Sequence, residues 1–491
     1  MAARRGQASR ADHPVRTRAT SGDARSHRGV ARRAMRNRYR PAGVVVRADA
    51  TTPGVIVTEM KTNIFLFALD DFQRRELATI RDAEQCNFYS LLDPEELVVP
   101  DRYDFDDLLE RARDQLRQFD GPVHAIISHW DFPSSVMAPV LCREYSIPAP
   151  SLESVLKCEH KYWSRVEQRR SIADCIPPFA GFDPFDDQAL ERIGLDYPFW
   201  IKPIKSHSSQ LGFMIHRAQD FHDAIPRIRS EIGRIGDAFD QALELVDLPQ
   251  EIRPYGGSSC LAEGIVSGRQ LAAEGSMFQG EYHVHGVLDM LKDEAGRSFD
   301  IFQYPSAVPE PVQQRLIDAC ETFLRHIGFD NGCFNAEFMW GEDSDTLCLI
   351  EFNTRISQSH SEMFAMVDGM SDHEVAIDVA LGIRPEMPRG QGRFAVAAKC
   401  MIPHYQDGIV RRIPSERELQ ELEERFPGIH IRLDVAPGTR LATLHNQDSY
   451  RYVLGNLYLG ADSHEQLAER YRTCLRALRF EFDPVPESSA N

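Results

Sequence analysis

Glu351, Asn353 and Arg355 alternate within residues 347–357, and an alternating run of this kind reads as a β-strand. Strict alternation puts Leu349, Glu351, Asn353 and Arg355 on one face and Cys348, Ile350 and Phe352 on the other. A second alternating run, residues 334–340, lies just upstream and contains Glu337, and the turn-like residues 341–345 join the two. With the hairpin centred near Ser344, Glu337 faces Glu351, at roughly 4.5–5.5 Å between Cβ atoms. Like charges opposed in this way repel unless a cation sits between them. Two carboxylates and a carboxamide oxygen are hard, all-oxygen donors, suited to Mg²⁺ carrying phosphates and unsuited to zinc. Arg355 adds a guanidinium fork for an anionic oxygen. A plain solvated strand face with a chance carboxylate pair is the competing reading.

Several elements must position this hairpin. Residues 309–327 read as an amphipathic helix with Val312, Leu316, Cys320, Phe323, Leu324 and Ile327 on its apolar stripe and Gly328 as its stop. Further upstream, residues 199–204 form a strand bearing Lys202, followed by the polar loop 205–211 and a second strand from Gly212 to His216. A strand lysine before a loop of small residues is a phosphate clamp in outline, with charge from the lysine and N–H and hydroxyl donors from the loop. An ordinary hairpin is the alternative. Residues 151–170 read as one helix, N-capped by Ser151, with Lys161 in its middle. A long helical insertion covers 218–246. Residues 260–266 and the stretch through Glu274 form two strands joined at Ser267-Gly268, and residues 281–290 form another, with His283, His285 and Asp289 on one face. Those histidines could ligate a metal or simply be hydrogen-bonded. A helix is expected over 372–381, then an α/β piece with glycine-marked turns at Gly408, Gly438, Gly455 and Gly460.

The N-terminal half opens differently. Strands at 64–69 and 123–128, with helices over 105–119 and 134–145, make a small open parallel sheet ending near Pro150. No Gly-x-Gly-x-x-Gly follows its first strand, so dinucleotide binding is not supported. Before it, residues 1–59 hold 13 arginines and four acidic residues, a charge of +9 within a chain of net −18. Such a segment lacks the apolar residues to fold alone. A start site placed too far upstream of Met60 is the favoured explanation, an organelle transit peptide the alternative, and deleting 1–59 should change neither melting temperature nor nucleotide affinity. The remaining residues carry −27, which excludes a broad nucleic-acid surface and means that any nucleotide must be met by local cations. Ten cysteines without Cys-x-x-Cys or zinc-like spacing read as reduced, buried thiols, and no apolar run reaches membrane-spanning length.

The ordered set Lys161, Lys202, Glu263, Glu337, Glu351, Asn353 and Arg355 resembles the ATP-grasp superfamily, in particular its carboxylate–amine ligases. The resemblance runs from about Asn63 to Asp483. It implies an α/β and α+β protein: an ATP-grasp fold preceded by a small open-sheet domain and followed by a C-terminal α/β piece. The expected boundaries are a disordered extension over 1–59, a pre-ATP-grasp domain over 60–150, two ATP-grasp subdomains over 151–266 and 267–390, and the last piece over 391–491. By resemblance Lys161 and Lys202 hold phosphates, with Ser206, Ser208 and Ser209 in the phosphate loop. Glu263 and the backbone at Ile265 meet adenine, and Gln270 stands where the family usually has a ribose-binding glutamate. Glu337, Glu351 and Asn353 form the metal triad, and Arg355, with Lys202, serves the transferred phosphoryl group. The loop is serine-rich where glycine is usual, Thr354 replaces a frequent proline, and residues 357–360 depart from the family where substrate should lie.

The implied chemistry is ligation of a small carboxylate, foremost an amino acid, to an amine through an acyl phosphate. ATP and Mg²⁺ would be the cofactors, with Mn²⁺ as a substitute. No nucleic-acid or membrane partner is expected, a homo-oligomer is compatible, and the setting would be cytoplasmic. Two other readings keep the fold: a biotin-carboxylase-like enzyme that activates bicarbonate, and a regulatory ATP binder without turnover.

Overall fold

A computed structural model describes residues 61–98, 100, 102–206, 211–293, 298–444 and 451–485. The arginine-rich segment 1–59 and the loop serines Ser208 and Ser209 lie outside the described residues. Three parallel strands open the chain, β1 (Thr62–Phe67), β2 (Cys86–Leu91) and β3 (Ala125–Ile127), in the order β2-β1-β3. Both faces are covered, as a parallel sheet requires: Phe65 and Phe67 enter one core, Ile64 and Leu66 another. The second core also takes Ile377 and Ala380 from the helix Asp372–Ala380, distant in sequence. Strand β2 escapes a sequence reading because its centre, Asn87 to Ser90, is only half-buried and lacks a clear period.

Four antiparallel strands follow, β4 (Phe179–Phe182), β5 (Phe199–Pro203), β6 (Phe213–Ile215) and β7 (Cys260–Gly264), ordered β4-β7-β5-β6. Phe199, Ile201, Ile215 and Ala262 pack beneath the helix Ala218–Glu231 through Phe221, Ile225 and Ile228. The insertion is two helices, with Gly233–Leu243 as the second.

An eight-stranded antiparallel sheet forms the rest. It comprises β8 (Arg269–Phe278), β9 (Glu281–Lys292), β10 (Phe299–Tyr304), β11 (Gly332–Gly341), β12 (Thr346–Asn353), β13 (Val396–His404), β15 (Ile429–Leu433) and β16 (Tyr452–Ala461), with the pair β14 (Ile409–Arg412) and β17 (Glu481–Asp483) set apart. Its order is β12-β11-β8-β9-β10-β13-β16-β15. The helix Glu310–Ile327 lies on one face, its Leu316, Phe323 and Leu324 in one core with Phe334, Ala336, Phe338, Leu349 and Phe352. Ala398, Cys400, Leu457 and Leu459 make a separate core with Leu467 and Cys474 of the helix His464–Ala477.

Three local expectations are revised. The helix expected over 151–170 breaks at His160, leaving Leu152–Glu159 and Lys161–Ser171. The imidazole causes the break: its Nδ1 accepts from Trp163 N at 3.1 Å, capping the second helix, and its Nε2 lies 2.7 Å from Tyr255 O. Gly455 and Gly460 are not turns but lie inside β16, where a Cβ would sit 2.2 Å from Arg432 O and from Phe394 Cδ2 respectively. Finally, β9 has a bulge at His285, since Gly286 pairs with Glu274 and Val284 with Gly275. The extra residue inverts the alternation beyond it. Asp289 therefore faces away from His283 and is fully engaged by Arg269, Ser306 and Ala307 N.

Candidate active site

The hairpin β11–β12 turns tightly, pairing Gly341 with Thr346, Met339 with Cys348 and Phe338 with Leu349. Continued unbroken, that register would set Glu337 opposite Ile350. A bulge at Ile350 intervenes, and Glu337 pairs with Glu351, Ala336 with Phe352 and Asn335 with Asn353. The bulge also revises the expected faces: Leu349 turns to the core with Phe352, and Glu351 to the opposite side with Cys348.

Around the opposed carboxylates the cations converge. Lys161, first residue of its helix, places Nζ 2.9 Å from Glu351 Oε1 and donates to Ser206 O at 2.8 Å. Lys202, on β5, lies 2.6 Å from Glu263 Oε2. Arg165, one turn after Lys161, completes the cluster: its Nε is 2.5 Å from Glu263 Oε1 and its Nη2 donates to Ile350 O at 2.9 Å. The bulge thus presents its carbonyl to the site. The helix bearing Lys161 and Arg165 bridges the two sheets, through Glu351 and Ile350 O of β12 and Glu263 of β7, while Lys202 with Glu263 joins two strands of the four-stranded sheet; a void of about 10 Å³ lies among them.

The electrostatics follow from this packing. Burial opposes the charge of Glu351, yet Lys161 and Lys202 outweigh it and hold the carboxyl at about 2. Glu263 is likewise held at about 2 against its burial by Arg165 and Lys202. Glu337 has no such partner; burial and then Glu351 push it up to about 7, although Gln270 donates to its Oε2 at 2.8 Å. Burial draws Lys202 below the usual lysine range. Opposed carboxylates with Asn353 on the next rung form an oxygen donor set that fits a divalent cation, which would relieve Glu337 and compete with Lys161 for Glu351.

Arg355 lies beyond the end of β12. Its Nε donates to Asp131 Oδ1 at 2.7 Å and its Nη2 lies 2.6 Å from the same oxygen. Asp131 sits in the loop after β3, so the small parallel sheet supplies the arginine's counter-ion from the carboxyl end of a strand. One row further along the sheet, Asn353 Nδ2 donates to Asn335 Oδ1 at 3.4 Å and Asn335 Nδ2 to Glu274 Oε1 at 3.1 Å. The same Glu274 oxygen accepts from Ser357 N at 3.1 Å and lies 2.6 Å from His360 Nδ1. Glu274 is fully buried, and burial pushes its carboxyl up to about 8.

The structure therefore gathers Lys161, Lys202, Ser206, Glu263, Gln270, Glu337, Glu351, Asn353 and Arg355 on facing surfaces. Gln270 donates to Glu337, and Ile265 is a partly exposed residue just past the end of β7. His283 and His285 stay apart from this cluster; His285 Nε2 lies 3.1 Å from Ser276 Oγ. Arg165, Asp131 and Glu274 are additions to the sequence-derived set. Arg165 had a signal in its i, i+4 spacing from Lys161, and Asp131 in its place just after a parallel strand; Glu274 had none beyond being a glutamate in an apolar strand.

Residues 195–362 match the family model of the ATP-grasp domain. No curated protein matches the sequence. Among solved structures, the chain is similar to an L-amino acid ligase from Bacillus licheniformis, at 15% identity and TM-score 0.64, covering 86% of this chain and 99% of that one. It is similar to a biotin carboxylase from Campylobacter jejuni, at 16% identity and TM-score 0.60, covering 87% and 93%. A third likeness is to an N5-carboxyaminoimidazole synthase from Aspergillus clavatus in complex with ADP and an aminoimidazole ribonucleotide, at 12% identity and TM-score 0.59, covering 85% and 99%. At these identities the likeness concerns the fold.

Proposed function

We propose that this chain, a member of the ATP-grasp superfamily by its fold and by the match over residues 195–362, is an ATP-dependent carboxylate–amine ligase. It would join an amino acid or similar small carboxylate to an amine and release ADP and phosphate. The observation that carries this reading is the placement of Glu337 against Glu351, with Lys161 on Glu351, Lys202 on the neighbouring Glu263 and Arg355 beyond Asn353.

Amide formation in water is uphill, so the carboxylate oxygen must first become a leaving group. ATP provides this by phosphorylating it. Lys161 and Lys202 would exchange their carboxylate partners for phosphate oxygens. A divalent metal held by Glu337, Glu351 and Asn353 would supply charge neutralisation on the phosphates. Arg355, held in orientation by Asp131, can stabilise the oxyanion that forms as the amine attacks the acyl phosphate. The closeness of the two sheets would exclude water from that intermediate.

The test is phosphate release from Mg–ATP with paired amino acids, followed by product mass. Release above the ATP-only background for particular pairs, abolished by Glu351→Ala, is the expected outcome. No stimulating pair, together with release driven by bicarbonate and biotin, would favour the bicarbonate-activating alternative instead.

A further inference from the structure

The helical insertion takes no part in the site above, yet it encloses something. Between the two insertion helices, the segment after β5 and the loop preceding Asp104 lies an open cavity of about 480 Å³. It shares no lining residue with the void at Lys161 and Lys202. The two adjoin through one short segment, because Ser206 lines the cavity while its carbonyl accepts from Lys161.

Among the described residues four cations line this cavity, Arg102, Lys205, Arg229 and Arg234, against two carboxylates, Glu231 and Asp237. That balance runs counter to a chain of net charge −18. Their partners are unequal. Lys205 is buried and tied to Glu159, Arg229 reaches Asp187 at 3.1 Å, and Arg102 reaches Asp237 at 3.2 Å. The Arg102–Asp237 pair is exposed on both sides, and pairs of that kind exchange at little cost. Arg234 stands apart: among the described residues no carboxylate lies within ion-pair distance of it, its buried Nε has no hydrogen-bond partner, and its neighbour is the hydroxyl of buried Tyr103. A guanidinium fixed at a cavity wall without a counter-ion is a preorganised half of an anion site.

We propose that this cavity binds a compact, doubly charged anionic group, a phosphate ester or a dicarboxylate arm, carried by a substrate of the ligation, with Arg234 and Arg102 as its principal contacts. The link to a substrate rests on the ligase reading; the anion site itself does not. The insertion would then be the device by which this chain selects an anionic partner, set one segment away from the nucleotide phosphates.

Binding of inorganic phosphate and of succinate to the full chain, measured by calorimetry with and without saturating Mg–ADP, tests this and separates the two anion classes. At least one should bind in the millimolar range or tighter in both conditions. Arg234→Met and Arg102→Ala should each weaken it by about tenfold or more. Arg234→Lys, which keeps the charge and loses the fork, should fall between the parent and Arg234→Met, and all three variants should bind Mg–ADP as the parent does. The proposal is overturned if neither anion binds, or if binding survives Arg234→Met; loss in Lys202→Ala would then place the anion among the nucleotide phosphates, and survival there too would place it elsewhere on the surface. Failure of Mg–ADP to bind would count against the nucleotide site alone, because the titration without nucleotide still decides the cavity.

Discussion

On the proposed chemistry Arg355 must point its guanidinium where the acyl oxygen would be, and Asp131 is the group that holds its orientation. Arg355→Ala is expected to lower turnover by about 10²–10³-fold while leaving Mg–ATP affinity nearly unchanged. Asp131→Ala should cost about 1.5–3 kcal/mol of stability as a lost charge-assisted bond, read by denaturant unfolding, and should share most of the Arg355→Ala defect in a double-mutant cycle. Glu274 gives a pH signature. Its folded-state value of about 8 lies above the ordinary 4.5, so the unfolded chain sheds this proton first. Stability contributed by the protonated carboxyl is therefore present in acid and declines as pH rises between about 4.5 and 8. Glu274→Gln removes that slope, so its melting temperature should gain on the parent between pH 5 and pH 8.5; parallel curves would show that the carboxyl is ionised throughout. Residue identities along β12 were readable because charged side chains in a buried alternating strand are costly unless they serve something. Asp131 was marked only by its place after a parallel strand, since its value depends on a contact 224 positions along the chain.

At the scale of elements, the hairpin is anchored from behind. Phe352 stacks on Phe334 at 5.1 Å between ring centroids and tilts against Phe323 at 5.2 Å, so its ring fixes the residues on either side of it, Glu351 and Asn353. Phe352→Ala should destabilise the fold by about 3–5 kcal/mol and raise the KM for Mg–ATP. Deleting Ile350 is a gentler operation than its place between two site residues suggests. The ladder then runs unbroken with Glu337 still opposite Glu351, and only Arg165 loses its carbonyl acceptor. Nucleotide affinity should fall by about tenfold, and not vanish. A bulge has no sequence mark, which is why an alternating run predicted the pairing of Glu337 with Glu351 yet misplaced Leu349. The break at His160 was equally silent, because histidine is not a usual helix cap and its role depends on Tyr255 across the fold.

At the scale of the whole molecule, the charges of the candidate site are satisfied by one another. Lys161 on Glu351 and Lys202 on Glu263 stand in for the partners that Mg–ATP would bring. Mg–ATP would displace these ion pairs, yet its binding should stabilise the protein, by about 2.7 kcal/mol at a hundredfold excess over Kd, seen as a rise in melting temperature. Lys202→Ala should abolish most of that rise. The long sheet has a different consequence, concerning what can be cut away. Strand β13 completes the hydrogen bonding of β10, through pairs from Ile301 with Cys400 to Tyr304 with Ala397. A fragment ending near residue 390 would keep every candidate catalytic group and expose β10 as a bare edge. Such an edge is a template for pairing with other chains. The excised fragment should therefore aggregate when expressed alone, and the last hundred residues serve as its cover.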